Sequence, residues 1–295
     1  MKKSRFYWNL FFEKSLAASA LVAIASLVGI FLLLLANSWK ALERIGVKAF
    51  LSGDIWNPSA FEEASYGMGA LLAGTGLTSL GAMAIAAPLG IGTAFFLSEI
   101  APAALRHVMK PLVELLAAIP SVVMGFVGIV LVGPFFARVF GLSNGLNALN
   151  GSVLLAFMAL PTLISVAEDV IQAVPHTYKE ASYALGANRW ETLIRVTLPA
   201  CYSGLISAIM LGVGRAVGET MTVLMATGNA SAFPSGFFSS VRTLTATIAI
   251  EMGEVPTGTP HYYALFVCAL VLFLLTLAVN VAAERIATQL RKRGQ

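Results

Sequence analysis

Between Ser15 and Ala36 the chain carries no charged side chain. In a hydrocarbon layer every backbone N–H and C=O must find its partner within the protein, so an apolar run of about 20 residues crosses it as a helix. Further runs of this kind lie near 70–98, 119–140, 152–173, 201–227 and 262–283. The pattern predicts an all-α polytopic membrane protein with six transmembrane helices. Composition agrees: 58% of residues are hydrophobic and 12% charged, with a mean hydropathy of +0.82, against about 25% charged in soluble domains. Six spans use up most of 295 residues, which predicts a single integral membrane domain over 1–295, with an anchor helix at 15–36 and a core at 70–284. Lys2, Lys3, Arg5 and Lys14 precede the first run, and Tyr7, Trp8 and Trp39 flank it. The run is too long for a cleaved signal peptide and reads as an uncleaved anchor.

Basic residues set the expected orientation. With the N-terminus inside, Lys2, Lys3, Arg5, Lys14, Arg106, Lys110, Lys179, Arg189, Arg195, Arg285, Arg291, Lys292 and Arg293 fall in the cytoplasm, against Lys40, Arg44, Lys48, Arg138 and Arg242 outside. Both termini are then cytoplasmic. A pI near 9.1 could suggest nucleic acid, but the cations cluster at span ends, so they report orientation and no nucleic-acid partner is expected. Cys201 and Cys268 lie in or beside apolar runs without CxxC or Cys/His spacing, which indicates neither a disulfide framework nor a metal site.

One polar stretch, 175–199, interrupts the apolar pattern. It reads as two short amphipathic helices. Val174, Tyr178, Ala181 and Leu185 share one face, and Trp190, Leu193, Ile194 and Thr197 share another. Gly186 supplies the bend. Asn188 followed by Glu191 is a capping pair, and Pro199 marks the approach to the next span. The positive-inside balance puts this loop in the cytoplasm, where it is either a docking element for a soluble partner or a solvated connector.

Arg215 and Glu219 are the charges expected inside the fifth span, four residues apart and so stacked on one helix face. A mid-membrane charge costs about 2.5–3.5 kcal/mol on insertion scales and faces a bundle interior or a wet cavity. Two readings stand: Arg215 lines an anion path with Glu219 holding its guanidinium, or the pair locks the span to its neighbours. Thr220 and Thr222 offer hydroxyls to either. Gly204, Ala208 and Gly212, and likewise Gly214 and Gly218, recur at four-residue spacing and predict close helix crossings. Pro88, Pro134 and Pro161 predict kinks or interruptions. Glu168 and Asp169, near the inner end of the fourth span, suit a solvated or helix-facing role.

No catalytic constellation is present. The chain has no GxxxxGK[ST] phosphate loop, and His107, His176 and His261 lie without ligand spacing. The 229–260 segment reads as an external loop carrying a helix at the outer surface.

The 175–199 segment resembles the cytoplasmic signature loop of bacterial ABC importer permeases: E-A-A, three residues, Gly, nine residues, Ile, one residue, Leu-Pro. Glu180, Ala181 and Ser182 take the first places, then Gly186, Val196 and Leu198-Pro199. Ser182 for Ala and Val196 for Ile are the departures. The stretches Val113–Ile129, Gly214–Asn229 and Thr243–Glu254 are together similar to phosphate permeases of the PstC type, and the likeness runs from the second span to the sixth.

The resemblance implies a type I importer permease of MetI-like architecture in the bacterial inner membrane, bound by membrane lipid. It implies a heterodimer with a PstA-like permease, a PstB-like ATPase dimer inside and a PstS-like phosphate-binding protein outside. It assigns the coupling contact to the helix holding Tyr178, Glu180, Ala181 and Ser182, with Gly186 and Leu198-Pro199 closing the motif, and the phosphate path to Arg215 and Glu219. This chain is expected to bind no cofactor; ATP and magnesium belong to the partner ATPase. Sulfate or molybdate remains open as the oxyanion. So does a secondary anion transporter with Glu219 as proton carrier, or a membrane subunit with no conducting role.

Overall fold

The computed structural model describes residues 2–60 and 64–293, with side chains described over 12–289 apart from Ser52 and 61–63. The side chains of Lys2, Lys3, Arg5, Tyr7, Trp8, Arg291, Lys292 and Arg293 lie outside the described residues. The chain order is α1 (Lys2–Ile45), α2 (Val47–Ser52), a two-stranded antiparallel ribbon of β1 (Trp56–Asn57) and β2 (Ser65–Tyr66), α3 (Gly69–Phe95), α4 (Ala103–Ala117), α5 (Ser121–Val127), α6 (Gly133–Phe140), α7 (Ala148–Gln172), α8 (His176–Ala184), α9 (Arg189–Thr192), α10 (Leu198–Gly218), α11 (Met221–Ala226), α12 (Leu244–Glu251) and α13 (Pro260–Arg293). Among the described residues six stretches are long and apolar enough to cross a membrane: Phe12–Ile45, Gly69–Ile100, Ser121–Phe140, Ala148–Gln172, Arg189–Gly218 and Pro260–Gln289.

Three of these spans contain a π-helical turn, at Phe96–Ile100, Gly128–Val132 and Leu193–Thr197. Each ends two residues before a proline, namely Pro102, Pro134 and Pro199. Proline has no N–H and its ring collides with the carbonyl four residues back. The wider turn sends the N–H just before the proline to the fifth carbonyl back: Ala101 to Phe96, Gly133 to Gly128 and Leu198 to Leu193. Pro88 and Pro161 instead sit within α3 and α7, which continue through them.

The centre of the bundle is α3 against α7, with α10 crossing both. Ala82, Ala86, Leu155, Ala159, Leu163 and Ala216 form its middle, and Ala94, Ala167, Ile171, Cys201, Leu205 and Ala208 form the layer toward α8. The expected small-residue crossings are present on α10. A Cβ on Gly204 would meet Val170 Cγ1 at 2.4 Å, Ala208 is fully buried, and Gly212 lies against Met83. Among the described residues a Cβ on Gly218 would meet nothing within 4 Å and one on Gly214 would reach only Asn280 at ordinary contact distance, so that pair makes no tight crossing. α1 stands at the edge and packs on α13, with Phe31 and Phe273 ring centroids 5.5 Å apart. Leu21, Ile24, Leu27 and Leu32 of α1 are more than half exposed, as suits a surface facing lipid or another apolar subunit.

The fifth span departs from the sequence reading at both ends. It begins at Arg189 rather than near Cys201, because the second helix of the polar loop runs through the π turn into α10. It stops at Gly218, where Glu219 turns extended with φ −69° and ψ 135°. Glu219 Oε1 accepts the Thr220 N–H at 3.1 Å and the Thr222 N–H at 3.5 Å, and such local side-chain bonds compete with helix continuation. Arg215 and Glu219 are therefore not stacked on one helix face.

The helix expected at the outer surface is also placed differently. Leu244, Thr245, Ala246 and Thr247 of α12 are buried, so its first half enters the bundle. Thr243 caps it by accepting the Ala246 N–H at 3.2 Å, and Leu244 N–H donates to Thr75 Oγ1 of α3 at 3.0 Å. With those groups satisfied, the helix end tolerates burial.

Candidate functional site

The 175–199 segment forms a hairpin of α8 and α9. Gly186 has φ +87°. Its N–H bonds the Tyr183 carbonyl at 2.9 Å, and the Ala187 N–H bonds the Ser182 carbonyl at 3.2 Å. That pair of bonds with glycine in the left-handed position is the Schellman ending of a helix. Two residues on, Asn188 Oδ1 accepts the Glu191 N–H at 2.9 Å while Glu191 Oε2 accepts the Asn188 N–H at 2.8 Å, a complete capping box. Ser182 and Thr192 join the two helices through a buried 2.9 Å hydroxyl contact. Ser182 thus works inside the hairpin, where a hydroxyl does what the alanine of the motif could not.

Two ion pairs anchor this end of the bundle. Lys179 Nζ pairs with Glu99 in the π turn that ends the second span, both side chains largely buried. Lys110 Nζ of α4 lies 3.4 Å from Glu168 Oε2 of α7, and Gln172 Nε2 donates to Glu168 Oε1 at 2.8 Å. Glu168 is 1% exposed and so helix-facing, whereas Asp169 is exposed. The Arg106 guanidinium donates to the Leu97 and Ser98 carbonyls, each at 2.6 Å, closing the end of the second span.

The hairpin turns its remaining apolar groups outward. Leu185 is 89% exposed and Trp190 64%, with Tyr178, Tyr183 and Ile194 also exposed. A cleft of about 1020 Å³ runs between Glu99, Pro102, Tyr183, Asn188 and Trp190, and a hollow of about 650 Å³ lies over Tyr178, Ala181, Leu185 and Arg195. Glu180 and Ala181 lie on the exposed side. Gly186 forms the turn, and Leu198 and Pro199 sit beyond the hairpin in the wall of the fifth span. Among the described residues nothing covers these apolar side chains, so the hairpin presents an ordered, exposed apolar surface.

The membrane candidates cluster around the break after Gly218. Arg215 Nη1 donates to Thr162 Oγ1 of α7 at 2.9 Å and is otherwise exposed. Among the described residues no ion pair joins it to Glu219, whose carboxylate is turned to the α11 amides. Thr220 is half-buried; Thr222 is fully buried, its hydroxyl donating to the Ser121 carbonyl at 3.0 Å with Met158 Sδ at 2.9 Å. Arg215 and Glu219 thus sit at one bend with Thr220, while Thr222 ties that bend to α5.

On the face opposite α8, Glu251 gathers three donors that sequence reasoning had not linked. Trp56 Nε1 lies 2.9 Å from Oε2, Arg242 Nη1 2.8 Å from Oε1 and His261 Nε2 2.8 Å from Oε2. They line a cleft of about 660 Å³ with Asn57, Ser231 and Glu254. Trp56 is 195 residues from Glu251, and Arg242 and His261 are 9 and 10 residues from it, spacings that leave no local signature. No group of His, Cys, Asp and Glu suited to a metal occurs among the described residues.

Six spans around a central crossing, with a capped hairpin displayed at one end, make a multi-pass membrane protein. Residues 86–292 match the family described as binding-protein-dependent transport system inner membrane component, and the chain belongs to that family of inner-membrane permeases. It is 36% identical to the probable ABC transporter permease protein YqgH of Bacillus subtilis strain 168, covering 91% of this chain and 88% of that one. It is 35% identical to the phosphate transport system permease protein PstC of Mesorhizobium japonicum over 92% and 88% of the two chains. Against PstC of Haemophilus influenzae it is 32% identical over 99% and 98%. Among solved structures, the inward-facing MetNI methionine ABC transporter has the same fold, with a TM-score of 0.59 and 19% identity over 76% of this chain and 97% of that one. Such a permease works with ABC-transporter partners.

Proposed function

We propose that this chain is a membrane subunit of an ATP-driven importer of inorganic phosphate, paired with a PstA-like permease and served by a PstB-like ATPase dimer and a PstS-like binding protein. The observation that carries the reading is identity of 32–36% with phosphate permeases sustained over nearly the whole chain. In this reading both termini and the hairpin lie in the cytoplasm, as the positive-inside balance favours. The exposed Tyr178, Ala181 and Leu185 surface seats in the ATPase, and ATP with magnesium acts there.

Arg215 supplies the permanent cation of the path. A guanidinium suits a tetrahedral oxyanion through paired N–H donors, and Arg215 keeps donors free because Glu219 is bonded elsewhere. Weak, transient binding favours passage over a deep well. The ATPases close on ATP and move the hairpin. Its ties through Lys179 to Glu99 and through α9 into α10 deliver that motion to the second and fifth spans. A few kcal/mol of differential contact is enough to shift such a two-state population.

The test is uptake of labelled phosphate into proteoliposomes holding both permeases and the ATPase, with ATP inside and loaded binding protein outside. Uptake that requires ATP and resists competition by sulfate and molybdate is expected. Uptake by this chain alone on a proton gradient, or preference for another oxyanion, would refute the reading.

A further inference from the structure

We propose that α12 is a strut joining the outer cleft to the bend at Glu219, with Thr245 as the positioning residue at its inner end. The inference rests on the reading above in taking that bend as part of the path. Thr245 Oγ1 donates to the Glu219 backbone carbonyl at 2.8 Å. Because Glu219 is extended between two helices, its carbonyl stands outside the regular ladder of either, and the Thr245 hydroxyl supplies a partner for this half-buried group. Thr243 Oγ1 lies 3.0 Å from Thr245 Oγ1 and also holds the first turn of α12. Leu244 N–H fixes the same end to Thr75 of α3.

The other end of this eight-residue helix, about 9 Å from Thr245 along its axis, is Glu251. Its carboxylate binds Trp56 from the ribbon, Arg242 from the preceding loop and His261 from α13. Arg242 Nε donates in turn to the Asn229 carbonyl at 3.1 Å. The strut is thus polar and directional at both ends and buried through its first half, with Thr247 and Ala246 fully buried. A rigid helix held in this way passes a displacement of the outer cluster to Glu219 without needing Arg215 or Thr222 to move first. It gives the outer face a mechanical line to the bend that does not run through the hairpin.

The strut is tested by hydrogen–deuterium exchange on the assembled importer in four forms: unmodified, Glu251→Gln, Thr245→Val and Thr245→Ser. Faster exchange of the 219–223 amides, by about threefold or more, is expected in Glu251→Gln and in Thr245→Val, with Thr245→Ser at the unmodified rate and α7 amides unchanged in all. In parallel, stimulation of ATP hydrolysis by loaded binding protein should fall by about fivefold in Thr245→Val, with basal hydrolysis retained and Thr245→Ser restoring it. Glu251→Gln that loosens only the segments around Trp56 and 251–261 overturns the strut. So does Thr245→Val with full stimulation. An unmodified complex that takes up no phosphate counts against the transport reading instead, and the exchange result then decides the strut by itself.

Discussion

Lys179 in α8 forms an ion pair with Glu99, eighty residues earlier in the chain, and the two side chains are only 11% and 17% exposed. The pair fastens the displayed hairpin to the nearby end of the second span. Removing one partner strands a largely buried charge, at a cost of about 3 kcal/mol. Lys179→Ala is expected to lower transport about tenfold while the complex still assembles, and exchanging the two charges should recover part of the loss. Transport per ATP hydrolysed, measured across the four-membered mutant cycle, checks this.

Leu185 is exposed enough that its substitution should leave the isolated subunit's stability within about 0.5 kcal/mol. Leu185→Glu places a charge on the exposed apolar face that the proposed function seats in the ATPase. ATPase copurification in mild detergent is expected to drop sharply with the melting temperature of the free permease unchanged. Retention of the ATPase at unmodified levels would place the docking face elsewhere.

Among the described residues Arg215 has one hydrogen bond to protein, from Nη1 to Thr162, so its loss should disturb the fold little. Arg215→Gln is expected to cut phosphate uptake by about tenfold or more, or about 1.4 kcal/mol, with ATPase binding intact. Arg215→Lys should fall between, since it keeps the charge and loses the planar fork. Initial uptake rates at saturating loaded binding protein read the difference.

A Cβ on Gly145 would lie 1.8 Å from the Gly133 carbonyl oxygen, a backbone atom that cannot swing aside. Asn150 Nδ2 also bridges this place, donating to the Gly145 and Gly128 carbonyls. Gly145→Ala is expected to cost more than about 2 kcal/mol by overpacking. Gly76→Ala, with nothing within 4 Å, should be neutral or gain up to about 1 kcal/mol in helix propensity. Thermal unfolding in detergent compares the two.

The spans were legible because lipid demands long uninterrupted helices, and the hairpin was legible because Gly186, Asn188 and Glu191 act within a few residues of one another. The end of the fifth span was not. The apolar residues Met221 to Ala226 continue the hydropathy past Gly218, and the break depends on where the Glu219 side chain bonds. Treating 201–227 as one helix is what stacked Arg215 on Glu219. The burial of α12 depends on Thr75 and Glu219, remote in sequence, receiving its polar groups. Lys179 with Glu99 and Glu251 with Trp56 likewise leave no local trace, since each pair meets only after the spans have packed.

The widened turn at Leu193–Thr197 adds one residue to the winding of the fifth span. Every side chain beyond it is therefore rotated by about 100° about the helix axis relative to an unbroken α-helix drawn from Arg189. A helical wheel that places Arg215 on the same side as Trp190 is out by that angle. Deleting one residue from this turn would regularise the helix and swing the guanidinium a quarter-turn or so around the axis, so the compass bearing of Arg215 is fixed some twenty residues upstream of it.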